Sequence, residues 1–165
     1  MPGVVKRKYD HESFLISKNI SQSLKKIAEI LPQNYSRQDL VNAYIKYYPF
    51  EWQKLVERQQ NYKQKDIFLI SNKKNRRYNP KSEYGFFFSV PKVKHLLSEG
   101  MKSKHSINFD EESVSIKRND FEHKRMIANE KTTSRIAEAK INSQNVTPTY
   151  LKYYIKAYHK KRNNH

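Results

Sequence analysis

The stretch IFLISNKKNRRYNPKSEYGFFF (Ile67–Phe88) sets two short apolar runs around a basic loop. Ile67–Ile70 and Phe86–Val90 are β-branched or aromatic and are separated by chain containing Asn, Ser, Pro and Gly, a pattern that predicts two antiparallel strands. Between them, Ser71–Ser82 carries Lys73, Lys74, Arg76, Arg77 and Lys81 and no acidic residue. The expectation is a β-hairpin with a long cationic loop.

Upstream, the apolar period is that of helices. Ile20, Leu24, Ile27, Ile30 and Leu31 fall on one face of a first helix that Pro32 ends. Ser36 is an expected N-cap, with Asp39 three positions on completing a near capping box, and Leu40, Ala43, Tyr44 and Tyr47 follow at helical spacing. Pro49 suits the first turn of a third helix, whose inward stripe is Trp52, Leu55, Val56 and Gln59. Lys54, Arg58 and Lys63 are on its other sides. Downstream, VPKVKHLLSEG predicts a short helix with Pro91 at its start and Gly100 just past its end.

Three helices, then a strand, a basic loop and a second strand, is an order that resembles the winged helix-turn-helix. The fold expected is thus mainly α with a small β-hairpin (α+β), a winged helix-turn-helix-like core plus a helical C-terminal extension. Residues 1–9, with Lys6–Lys8, read as a basic flexible arm; residues 10–100 form the core, and 101–165 the extension. Within that extension, Lys102–Ser106 reads as a linker and 110–142 as a polar, charged helix with i,i+4 pairs such as Asp120–Lys124. Thr147 and Pro148 open a last helix on which Tyr150, Leu151, Tyr154, Ile155 and Tyr158 share a face suited to self-association, possible as a homodimer.

The 165 residues carry 33 Lys and Arg against 16 Asp and Glu, a net charge of +17, with basic excess on both sides of Gly100. Such a field draws polyanions, and nucleic acid is the commonest. The resemblance implies that Lys54, Arg58 and Lys63 on the third helix and Lys73, Lys74, Arg76, Arg77, Tyr78 and Lys81 on the wing contact nucleic acid, above all duplex DNA. The arginines suit a narrow minor groove and the lysines the phosphates. The function expected is therefore that of a small DNA-binding regulator, replication or mobile-element factor. An inhibitor from a phage or mobile element acting on a host protein complex, an RNA binder and a small metal-dependent nuclease are the other classes weighed.

No enzymatic chemistry is expected. The six histidines form no HxH or HExxH spacing, and Cys is absent, which removes disulfides and thiolate metal sites. His105, Asn108, Asp110, Glu112, Asp120 and His123 lie close in sequence without a nuclease pattern. Gly numbers only 3, and no GxxxxGK is present, so a nucleotide-hydrolysing motor is excluded. Neither metal nor cofactor is expected. No apolar run approaches a membrane span and the N-terminus has no signal-like apolar region, so a cytoplasmic, nucleoid-associated protein is expected. The abundance of Lys, Asn, Ile and Tyr suggests a bacterium of low GC content.

Overall fold

The computed structural model describes residues 3–145, together with Lys156 and Lys160. In chain order the helices are α1 (Val4–Ile27), α2 (Arg37–Tyr47), α3 (Pro49–Ser71), α4 (Glu83–Ser89), α5 (Pro91–Leu96), α6 (Glu99–Ile107) and α7 (Glu111–Asn145). Among the described residues there is no strand, so the β-hairpin, the wing and the α+β class do not stand. Thr147, Pro148 and the Tyr150, Leu151, Tyr154, Ile155 and Tyr158 face lie outside the described residues. The chain divides into one unit up to Arg125 and a second from Met126.

Both expected strands are helical for local reasons. No Pro or Gly interrupts the chain between Pro49 and Ser71, so α3 continues through Ile67–Ile70. Those residues are not core: Ile67, Phe68 and Ile70 are 49%, 67% and 44% exposed. The helix ends in a Schellman arrangement, in which the Lys74 and Lys73 amides donate to the Leu69 and Ile70 carbonyls, each at 2.9 Å. Lys73 takes the left-handed conformation there (φ 58°). Phe86–Phe88 belong to α4, which starts where the Ser82 hydroxyl accepts the Gly85 amide at 3.0 Å. Extended Val90 then separates α4 from α5, and Pro91 opens α5.

Other expectations are met residue by residue. The Ser36–Asp39 capping box is complete, with the Asp39 amide donating to the Ser36 hydroxyl at 3.1 Å and the Ser36 amide to the Asp39 carboxylate at 2.8 Å. Pro49 occupies the first turn of α3. Ile20, Leu24, Ile27, Ile30 and Leu31 are all buried, as are Trp52, Leu55 and Gln59. By contrast, the arm expected at residues 1–9 is helical from Val4, and its Tyr9 is buried. Gly100 lies inside α6 rather than past a helix end, and Lys102–Ser106 is helix rather than linker. Ser98 caps α6, which removes any need for a break at Gly100.

The core of the first unit gathers α1, α2, α3, α4 and α5 around Phe87, which is fully buried. Its ring meets Tyr44, Trp52 and Phe88 at centroid distances of 5.3, 6.2 and 5.3 Å. Tyr44 is thereby desolvated, and its phenol titrates far above its ordinary range, with nearby Glu51 adding to the effect.

The first turns of α7 are held to this core by polar contacts at element ends. The Arg118 guanidinium donates twice to the Ile30 carbonyl, at 3.2 and 3.0 Å, pairing an oxygen of the turn that follows α1. Glu122 accepts from Lys46 at 3.0 Å and from the Tyr47 hydroxyl at 2.9 Å. Burial first, and the Glu122 carboxylate second, push the Tyr47 phenol up to about 12. The Asp120–Lys124 pair expected on this helix closes at 2.8 Å. In the second unit, α7 exposes Met126, Ile127, Ile136 and Ile141.

Phe87→Ala should cost about 3–5 kcal/mol of unfolding free energy, because a large ring is lost from a packed site. Exposed Phe14, replaced by Ala, should change stability by no more than about 0.5 kcal/mol. Urea unfolding followed by circular dichroism compares the two, and equal costs would contradict this core.

Candidate functional site

The loop Asn72–Ser82 returns across α3 and is fastened to it by one carboxylate. Gln59, Tyr62 and Asp66 recur at helical spacing on the face of α3 that meets the loop. Asp66 is only 4% exposed. Its Oδ1 accepts the amides of Arg77 and Tyr78 at 2.9 and 3.0 Å, and its Oδ2 accepts that of Asn79 at 2.7 Å. Burial alone would raise the Asp66 pKa. The three amides and the nearby Arg76 outweigh that and hold it below its ordinary value. Asn79 sits in the left-handed region (φ 47°), which lets three successive amides turn toward one carboxylate.

Two further anchors hold the loop. Gln59, itself buried, donates to the Lys81 carbonyl at 2.8 Å. The Tyr78 ring is buried against Tyr62 and Tyr9, at centroid distances of 4.7 and 5.2 Å, while Tyr9 and Tyr62 meet at 4.6 Å. Over this trio lies Arg58, 4.6 Å from the Tyr9 ring and 5.0 Å from Tyr62. Its guanidinium donates to the Tyr9 carbonyl at 3.0 Å, the Ser13 hydroxyl at 2.9 Å and the Gln59 side chain at 2.7 Å. The Arg58 Nε is buried without a hydrogen bond, 4.0 Å from the Glu12 carboxylate. Lys6 reaches across from α1 to donate to the Tyr78 carbonyl at 3.2 Å.

These contacts sort the residues expected to meet nucleic acid. Arg58 and Tyr78 face inward and build the clasp. Lys54, Lys73, Lys74 and Arg77 are exposed and lie apart from the cleft described next. Lys63, Arg76 and Lys81 are brought together: all three line a cleft of about 370 Å³ between α3 and the loop, whose wall also includes Gln60, Ile67, Pro80 and Glu83. Sequence reasoning placed Gln59 on the inward stripe of α3 without giving it a partner, and missed Asp66 and Tyr9. The signal for Asp66 was a second polar residue seven positions after Gln59, on the same face of the helix. Among the described residues no group of three or more His, Asp or Glu is arranged to hold a metal ion. Nor is any helix among them long and apolar enough to cross a membrane.

Comparison with known proteins changes the functional reading. A protein of Cytobacillus dafuensis, which bears the provisional name cyclic ADP-D-ribose synthase TIR2, is 41% identical over 161 residues. The match takes in 98% of this chain and 42% of the relative, so the chain spans well under half the length of that protein. No family model matches the chain, and no solved structure matches it. The expectation of a DNA-binding regulator gives way on two counts. The wing it required is absent, since its strands are helical, and the relative is named for nucleotide chemistry rather than for binding DNA. The expectation of a non-enzymatic protein is overturned by the same name.

Asp66→Asn should destabilise the first unit by about 2–3 kcal/mol, because an amide cannot accept from three donors as a carboxylate does. The wild-type clasp should also depend on acid. A carboxyl whose pKa is lower in the folded state stabilises above its unfolded value of 3.8, and that contribution disappears as pH falls through the lower folded value. Thermal unfolding from neutral pH to below pH ~3 checks both, and the gap between wild type and Asp66→Asn should narrow in acid.

Proposed function

We propose that this chain serves the synthesis of cyclic ADP-D-ribose, as a helical module of a synthase of that kind. The observation that carries the reading is 41% identity running over 98% of the chain to a protein with that name. Identity of this extent along the whole chain favours a shared role for this segment over a borrowed fold alone. In chemical terms, cyclisation of this class breaks the bond between nicotinamide and the ribose anomeric carbon of NAD. That carbon joins an adenine nitrogen of the same molecule, and nicotinamide and a proton leave. The abundant positive charge, +17 overall, is consistent with handling substrates and products that carry a diphosphate.

A chimera tests the proposal. Residues 1–165 replace the matching segment of the C. dafuensis protein, and NAD conversion is followed by liquid chromatography with mass spectrometry. The chimera is expected to form cyclic ADP-D-ribose and release nicotinamide at a rate within about tenfold of the parent. A chimera with the parent's circular dichroism spectrum but no cyclic product would overturn the proposal.

A further inference from the structure

The cleft between α3 and the returning loop has the makings of a small anion site. Lys63, Arg76 and Lys81 line it, all exposed, and among the described residues none of the three is in a salt bridge. Two carboxylates share the wall, Asp66 and Glu83. Both Asp66 oxygens accept backbone amides, and Asp66 forms no ion pair with the lysines or the arginine; its charge acts on nearby Arg76, but three cations still face two carboxylates in the cleft. Arg76 and Lys81 stand on a loop fastened by Asp66, Gln59 and Tyr78, which holds their backbone in place before any ligand arrives. At about 370 Å³ the cleft falls within the range of small-molecule sites. Ile67 and Pro80 give it an apolar flank against which a sugar or base can lie.

We propose that this cleft binds the diphosphate of an adenine nucleotide of the ADP-ribose class. Arg76 offers the planar fork that suits two phosphate oxygens at once, and Lys63 and Lys81 act as point charges beside it. Which nucleotide enters rests on the function proposed above; the anion site rests on the cleft alone.

Isothermal titration calorimetry on the full chain at near-physiological salt tests this, with ADP-ribose, NAD, inorganic pyrophosphate and adenosine as probes. ADP-ribose and NAD are expected to bind, pyrophosphate more weakly, and adenosine not measurably. Lys63→Gln with Arg76→Gln should weaken ADP-ribose at least about tenfold with the circular dichroism spectrum unchanged. Lys73→Asn with Lys74→Gln removes the same amount of charge from the loop that carries Arg76, outside the cleft, with Asn tolerating the left-handed position. That control should leave affinity within about twofold. Equal weakening by both double variants would overturn the site in favour of a diffuse positive field. ADP-ribose binding no tighter than adenosine would overturn it outright, and pyrophosphate binding as tightly as ADP-ribose would overturn the nucleotide assignment. A chimera without synthase activity beside intact ADP-ribose binding would remove the proposed function and leave the cleft. An active chimera beside a full chain that fails to bind ADP-ribose would do the reverse.

Discussion

A single buried carboxylate organises the part of this protein where function is proposed. Asp66 takes three consecutive amides from a loop that would otherwise be a solvated connection between helices. Burying a charge is costly unless it is well hydrogen-bonded, and here the bonds more than offset the cost, since the acid is stronger than usual. The loop's direction follows from that arrangement. With amides 77–79 turned inward, Tyr78 enters the aromatic cluster, Arg76 and Lys81 come to the cleft, and Gln59 can reach the Lys81 carbonyl.

Arginine plays opposite roles on the two sides of this loop. Arg58 lies over two tyrosine rings and donates to three oxygens, so its charge holds α1 to α3. Arg76 is exposed at the cleft. Composition treats the two residues alike, and only the packing of Tyr9 and Tyr62 separates the structural cation from the one open to a ligand. For the same reason, a net charge of +17 does not by itself distinguish one class of anionic ligand from another.

Much of the helical part was legible in the sequence. Stripes such as Ile20, Leu24 and Ile27 are continuous, and caps such as Ser36–Asp39 and Pro49 have one plain reading, so local chemistry and tertiary burial agree. The hairpin failed because four-residue apolar runs do not reveal their period. Ile67–Ile70 reads as a strand because it is short, apolar and β-branched, yet it is the exposed end of a long helix. Phe86–Val90 reads as a strand because it is rich in aromatics, yet Ser82 caps a helix that takes in Phe86–Ser89. The five loop cations were visible, and so was the loop itself, but which of them share a cleft depends on contacts from Asp66 and Gln59 that lie many residues away. Tyr9 was hidden in a segment that reads as a basic arm, where no apolar repeat announced a helix.

The hydrogen bond from Lys6 to the Tyr78 carbonyl spans 72 positions in sequence, while the contacts among α4, α5 and α6 are between neighbours. Closing so long a span is entropically expensive, and contacts of this separation tend to arrive late in folding. The order of assembly then runs from the short-range helical turns toward the clasp, with the opening turns of α1 docking onto an α3 that is already formed. Until Tyr9 and Tyr78 meet, the loop lacks one of its anchors, so the tyrosine trio belongs to the later steps of this unit's assembly, together with the still longer-range contact of Arg118 with the Ile30 carbonyl.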